Sequence, residues 1–150
     1  MSGPGTTPLF VDTAAFYAFY DRNAPRHDRA RAVFDGIDDG ELHYRPLFTT
    51  THVLAELATL LQRKRDRSTA TAGLRRIRKS PAFTIVHPDP SEFDAACEAF
   101  GRYDDQEITL VDHLIATLAE NRDIDHVFTF DRRDFRTLGV TVVPADTADG

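Results

Sequence analysis

Two short apolar runs of the chain end on a carboxylate. In LFVDTAAFYAFY, Leu9, Phe10 and Val11 lead into Asp12, and in HVFTFDRRDF the run from Val127 to Phe130 stops at Asp131. Two further acids open helical patterns: Glu56 in TTTHVLAELATLL, beside the apolar position Leu57, and Asp112 in TLVDHLIATLAEN. Four carboxylates gathered in a small volume repel and raise one another's pKa unless a cation neutralises them. All-oxygen ligation suits a hard divalent cation, Mg2+ or Mn2+, better than zinc, which prefers His and Cys. Such a cation activates water and offsets charge on phosphoryl oxygens, so the chemistry such a set would serve is phosphodiester hydrolysis.

Each acid also has an ordinary structural role open to it. Asp12 could cap the first helix, and Asp112, three residues after Thr109, could complete a capping box. Asp131 could cap a short turn ending at Phe135, with Asp134 closing its own box. Glu56 could be one more glutamate on an amphipathic face. These roles do not explain why all four would fall together.

Whether they do depends on the elements that carry them. Apolar or β-branched runs at Leu9–Val11, Leu47–Thr49, Thr84–Val86, Val127–Phe130 and Val140–Val143 predict short strands. Between them lie helical patterns: Thr13 to about Tyr20, Arg26–Phe34, HVLAELATLLQRKR, Ala70–Lys79, SEFDAACEAFGRY and VDHLIATLAENR. In the third, Val53, Leu57, Leu60 and Leu61 fall on one face at i, i+4, i+7 and i+8. Alternating strands and helices predict an α/β fold with a mainly parallel sheet. Ligands of such sheets bind outside the carboxyl ends of the strands. Asp12 and Asp131 belong at that edge, and the helices bearing Glu56 and Asp112 start there.

A chain of 150 residues with 41% hydrophobic residues is one domain's worth and can bury a single core. One cysteine, Cys97, excludes an internal disulfide and any multi-cysteine metal site, and fits a reducing cytoplasm. With Phe93 and Phe100 at helical spacing, Cys97 is expected in the core. MSGPGTTP lacks the features of a signal peptide, and no run reaches the ~18 apolar residues of a membrane span. Residues 1–7 and 145–150 are read as flexible ends. His52 and His113 lack metal-ligand spacing and are read as local polar residues. The net charge of −6 argues against a polyanionic partner, except that Arg63 to Lys79 carries eight Lys or Arg against one Asp, a local +7 that leaves −13 elsewhere. That segment is a solvated face or a polyanion contact.

Taken in order, LFVDT, HVLAEL, DQEITLVDHLIATLAE, VFTFDRRDF and LGVTVVP resemble the PIN-domain ribonucleases, in particular the VapC type of toxin–antitoxin nuclease, over residues 8–144. The resemblance implies a three-layer α/β/α sandwich and metal-dependent (Mg2+ or Mn2+) endonucleolytic RNA cleavage. It also implies a homodimer and inhibition by a small cognate antitoxin. It makes Asp12, Glu56, Asp112 and Asp131 the catalytic quartet, with Asp12 and Asp112 holding metal and Glu56 and Asp131 doing so directly or through water. Thr13, Asp105 and Asp134 would support them, and Asp134 could exchange roles with Asp131. Arg75, Arg76 and Arg78 would contact RNA or antitoxin. Two other outcomes share the fold: a housekeeping RNA-processing PIN nuclease without antitoxin, and a non-catalytic RNA-binding PIN domain, against which the four intact acids speak. A haloacid-dehalogenase-like phosphatase would need an Asp at position 14, where Ala14 stands. A receiver domain would need an acidic pair after its first strand, and the adjacent pairs here are Asp38–Asp39 and Asp104–Asp105.

Overall fold

The computed structural model describes residues 5–102 and 107–147. In chain order the elements are β1 (Thr7–Val11), α1 (Thr13–Tyr20), α2 (His27–Asp38), β2 (Tyr44–Thr50), α3 (Thr51–Lys64), α4 (Arg67–Lys79), β3 (Phe83–Val86), α5 (Pro90–Arg102), α6 (Leu110–Asn121), β4 (His126–Phe128), α7 (Arg132–Thr137) and β5 (Thr141–Val143). The five strands form one parallel sheet in the order β3-β2-β1-β4-β5. Phe10 pairs with Phe48 on one side and Val127 on the other.

Connections between parallel strands are right-handed, so the direction of travel along the sheet decides which face a helix covers. The chain moves outward from β1 to β2 to β3, carrying α1 to α4, which pack on one another. It then returns past β1 to β4 and β5, carrying α5 to α7, which form the opposite layer. This is the three-layer α/β/α sandwich with a parallel centre. The reversal falls between β1 and β4, where the two connections leave in opposite directions and open a crevice at the carboxyl ends of the strands. The N–H of Asp12 donates to the Phe128 carbonyl at 3.0 Å and joins the two strand ends there.

Central strands buried on both faces read as continuous apolar runs. Leu9, Phe10, Val11, Val127 and Phe128 are fully buried accordingly. In α3 the buried stripe is Val53, Leu54, Leu57 and Leu61, each fully buried Leu worth about 1.5–3 kcal/mol. Leu60, expected on that stripe, is only half-buried, because the helix turns it toward the crevice. Cys97 is exposed, contrary to expectation. Helix α5 packs through Glu92 and Ala96, leaving Phe93, Cys97 and Phe100 on its outer side, so their spacing marks a stripe outside the core. Parts of both segments expected as flexible ends belong to the fold, while residues 1–4 and 148–150 lie outside the described residues. Thr7 donates its N–H to the His43 carbonyl as part of β1, and Asp146 is fixed by Arg136 and by the N–H of Val142.

Glu92 ties the start of α5 to the end of α6. Its carboxylate accepts from Arg122 at 2.8 Å, from Asn121 at 3.1 Å and from the N–H of Asp89 at 3.1 Å. The Arg122 bond first, then Asn121, hold its pKa down at about 2, against 4.5 for an ordinary Glu. A depressed carboxyl contributes stability above the unfolded pKa and loses it as pH falls through the folded value. Glu92→Ala is therefore expected to cost about 2 kcal/mol at pH 7, discounted for the partly exposed Arg122. The difference should shrink between pH 4.5 and 2. Denaturant unfolding of both proteins at pH 7 and pH 3 measures it.

Candidate active site

The crevice is an open cleft of about 690 Å³ lined by Asp12, Thr13, Ala14, Glu56, Thr59, Leu60, Arg63, Glu107, Thr109, Asp112, Asp131 and Asp134. The four acids singled out in the sequence all reach it, each from a different segment. Asp12 is the residue at which β1 stops and α1 begins, and its side chain makes no cap bond to that helix. Buried to 2% exposure, it accepts from the Thr129 hydroxyl at 2.8 Å. Glu56 is exposed at the rim and accepts from the Thr13 hydroxyl at 2.5 Å. Asp112 does complete the capping box with Thr109: its carboxylate accepts from the Thr109 N–H at 2.9 Å while its own N–H donates to the Thr109 hydroxyl. That ordinary role and the cleft position coexist, since a cap at the first turn of α6 faces the strand ends. Asp131 stands at the N-terminus of α7 without a side-chain cap bond.

The electrostatics follow from burial and crowding. Burial first, then the charges of Asp112 and Asp131, raise the Asp12 pKa from 3.8 to about 8 against the pull of Thr129. Burial, opposed by the Thr109 bonds and reinforced by Asp131 and Asp134, raises Asp112 to about 6. Asp131, whose carboxyl borders the cleft, is raised by desolvation and then by Glu56. Burial and mutual repulsion thus push all three carboxyls upward.

Among the described residues, no three His, Cys, Asp or Glu side chains converge closely enough in this arrangement to hold a metal ion together. Asp12, Glu56 and Asp112 are each turned to a protein donor, Thr129, Thr13 and Thr109. The donor set still fits a hard divalent cation. It is all oxygen, its members share one cleft, and it carries the unbalanced negative field that such a cation would neutralise.

Other expected residues fall as follows. Thr13 and Asp134 line the cleft; Asp105 lies outside the described residues. His52 stacks on Phe93, and His113 is buried edge-on to Phe100; neither lines the cleft. In the basic segment Arg75, Arg76 and Arg78 are all exposed, and the Arg76 guanidinium also lies over the rings of Phe19 and Tyr20 at 5.8 Å, linking α4 to α1. The sequence reading singled out neither the cleft-lining Arg63 and Glu107 nor Thr129 behind the acids. Arg63 faces the acids, and a signal for it exists, since Glu56, Thr59, Leu60 and Arg63 repeat at i, i+3, i+4 and i+7 on α3. Thr129, buried at the end of β4, gives its hydroxyl proton to Asp12 and accepts the Asp131 N–H at 3.0 Å, so one side chain positions two acids. Its spacing of two from Asp131 on an extended segment was the available cue.

Known proteins resemble this chain in sequence and fold. The chain is 26% identical over 130 residues to ribonuclease VapC26 of Mycobacterium tuberculosis, covering 87% of this chain and 91% of that protein. It is 28% identical over 137 residues to a protein of the same species named 23S rRNA-specific endonuclease VapC20, covering 90% and 97%. The crystal structure of VapC20, described as a Sarcin-Ricin loop cleaving toxin, superposes with a TM-score of 0.78 over 88% of this chain and 95% of that one. FitAcB from Neisseria gonorrhoeae, at 19% identity and a TM-score of 0.59 over 89% and 95%, shares the fold. The PIN domain family model matches residues 9–140, a span that runs from β1 to the threshold of β5 and takes in all four carboxylates, and the chain belongs to that family.

Proposed function

We propose that this chain is a divalent-metal-dependent endoribonuclease and the toxin of a toxin–antitoxin pair. The observation that carries the proposal is the meeting of Asp12, Glu56, Asp112 and Asp131 in one cleft, where burial and their mutual repulsion push the Asp12 and Asp112 carboxyls upward. Kinship with ribonucleases of the VapC type supports RNA as the substrate, and the description of VapC20 as a toxin supports a small cognate antitoxin as partner. A homodimer in the cytoplasm belongs to the same proposal. Among the described residues no helix is long and apolar enough to cross a membrane.

Asp12 and Asp112 would hold Mg2+ or Mn2+, with Glu56 and Asp131 contributing directly or through water. When bound, the cation supplies a lowered water pKa and charge compensation at phosphorus. Thr129 fixes the Asp12 carboxylate, Thr13 orients Glu56, and Thr109 holds Asp112 at the helix start. Arg63, on the wall that carries Glu56, offers a cation for a phosphate oxygen. Arg75, Arg76 and Arg78, all exposed, would contact RNA or antitoxin from the basic segment.

The test is direct. Purified protein incubated with ribosomal RNA and Mg2+ or Mn2+ is expected to produce discrete fragments and to stop when EDTA is added. Cleavage that persists in EDTA overturns the metal, and intact RNA under both cations overturns the nuclease.

A further inference from the structure

On the far side of Thr129 from the acids lies a second, smaller cavity of about 280 Å³ bordered by Arg26, Arg29, Arg132, Thr129, Phe130 and Pro144. Arg26 stands just before α2 and Arg29 in its first turn, three residues apart and so on one side of the helix. Arg132 opens α7. Three arginines from two segments therefore border one concavity, and no acid is among its lining residues. None of the three forms an ion pair among the described residues. The carboxylate nearest in effect, Asp146, is committed to Arg136 and to the N–H of Val142.

All three are exposed, so their charges are open to a partner from solvent, and an anion seated among them would offset their mutual repulsion. Guanidinium is the group best matched to phosphate, through paired N–H donors. The position suggests whose phosphate it is. Thr129 borders this cavity and also donates to Asp12, and Arg132 directly follows the cleft residue Asp131, so the cavity adjoins the acidic cleft. That cleft presents Asp12, Glu56, Glu107, Asp112, Asp131 and Asp134 against Arg63, in a chain of net charge −6. A polyanion drawn there needs compensating cations close by, within the roughly 8 Å over which charges act in physiological salt.

We infer that the Arg26–Arg29–Arg132 cavity binds a non-scissile phosphodiester of the RNA strand whose neighbouring linkage lies in the acidic cleft. This rests on the ribonuclease reading and adds the point at which the strand is gripped.

The experiment compares the full chain with the Arg26→Gln/Arg29→Gln/Arg132→Gln variant on a short RNA, measuring kcat and KM across a salt series. The variant, its fold checked by circular dichroism, is expected to raise KM about tenfold with kcat little changed and to lower the salt slope by about 0.7, the value of one single-strand phosphate contact. The corresponding triple Lys variant should retain most of the slope, because it keeps the charge. A scan of neutral methylphosphonate linkages should find one position outside the scissile bond that raises KM for the parent and has no effect on the Gln variant. An unchanged KM and slope, or a methylphosphonate penalty that persists in the variant, overturns the assignment and leaves the arginines to an acidic protein segment. Should the triple variant not fold, the three single Gln variants are judged by the same scan. If the parent protein cleaves no RNA at all, it is the ribonuclease reading that fails; cleavage with an indifferent variant removes the phosphate site alone.

Discussion

Asp12→Asn is expected to lower the rate of RNA cleavage by at least ~10³-fold, near the upper end of what one well-placed electrostatic or proton-transfer group supplies. The fold should survive, since an amide oxygen can still accept the Thr129 hydroxyl that Asp12 accepts now. The metal-free variant should also be more stable than the parent at pH 8, with a pH dependence that follows from the raised pKa. An unfolded Asp12 loses its proton near 3.8 while the folded one keeps it to about 8, under burial and the charges of Asp112 and Asp131. The folded state thus binds the extra proton between these values, and metal-free stability falls as pH rises from 4 to 8. Asp112, raised to about 6, adds to the same trend across a narrower window. The other groups facing the site are Glu56, Glu107 and Asp134, with Arg63 in opposition. Asn at position 12 removes the larger part of the slope. Single-turnover cleavage, with thermal unfolding in EDTA at pH 5, 6.5 and 8, measures both effects. Full activity in a folded Asp12→Asn protein would place the chemistry elsewhere.

Asp131→Asn should cost at least ~10²-fold in cleavage rate, and Asp134→Asn less than ~10-fold. Both border the cleft, so proximity alone does not rank them. The distinction lies in what each charge reaches. Asp131 raises the pKa of both Asp12 and Asp112 and is itself raised by Glu56, which puts it amid the other three. Asp134, in the first turn of α7, acts on Asp112. The Asp131 backbone is also held by the Thr129 hydroxyl that fixes Asp12, so the two acids share one support. Asp134→Asn should act mainly through stability, by the ~1 kcal/mol of a lost helix-terminal interaction. Single-turnover rates at saturating Mn2+, with thermal unfolding of both variants, separate the two. A dead Asp134 variant beside an active Asp131 variant would exchange their roles.

The same comparison of Asp131 and Asp134 marks how far residue order can be read. Apolar runs of strand length, interrupted by helical periodicities, specify a parallel α/β sheet, because each local preference agrees with the layer it must join. Strand ends at Asp12 and Asp131, with helix starts near Glu56 and Asp112, then place the acids on one edge, since parallel strands all deliver their carboxyl ends to the same side. Cys97 and Leu60 were misplaced for a single reason. Periodicity tells which residues share a helix face but not what that face meets. Helix α5 turns its Phe93–Cys97–Phe100 stripe outward, and α3 turns Leu60 toward the cleft with Glu56 and Arg63.

Thr129 shows what only tertiary structure decides. In the sequence it is one β-branched residue in a strand-like run; in the fold its hydroxyl joins Asp12, 117 positions away, to the backbone of Asp131. The grouping of Arg26 and Arg29 with Arg132 is of the same kind, as is the raised pKa of Asp12, which comes from burial and from neighbours on α6 and before α7. The sequence by itself determined the layer architecture and the edge on which the carboxylates fall, because secondary-structure period and parallel strand direction are local properties. Which of those carboxylates share a support, retain a proton or face an arginine depends on distances across the β1–β4 crevice, and only the packing of the two helical layers against the sheet sets those.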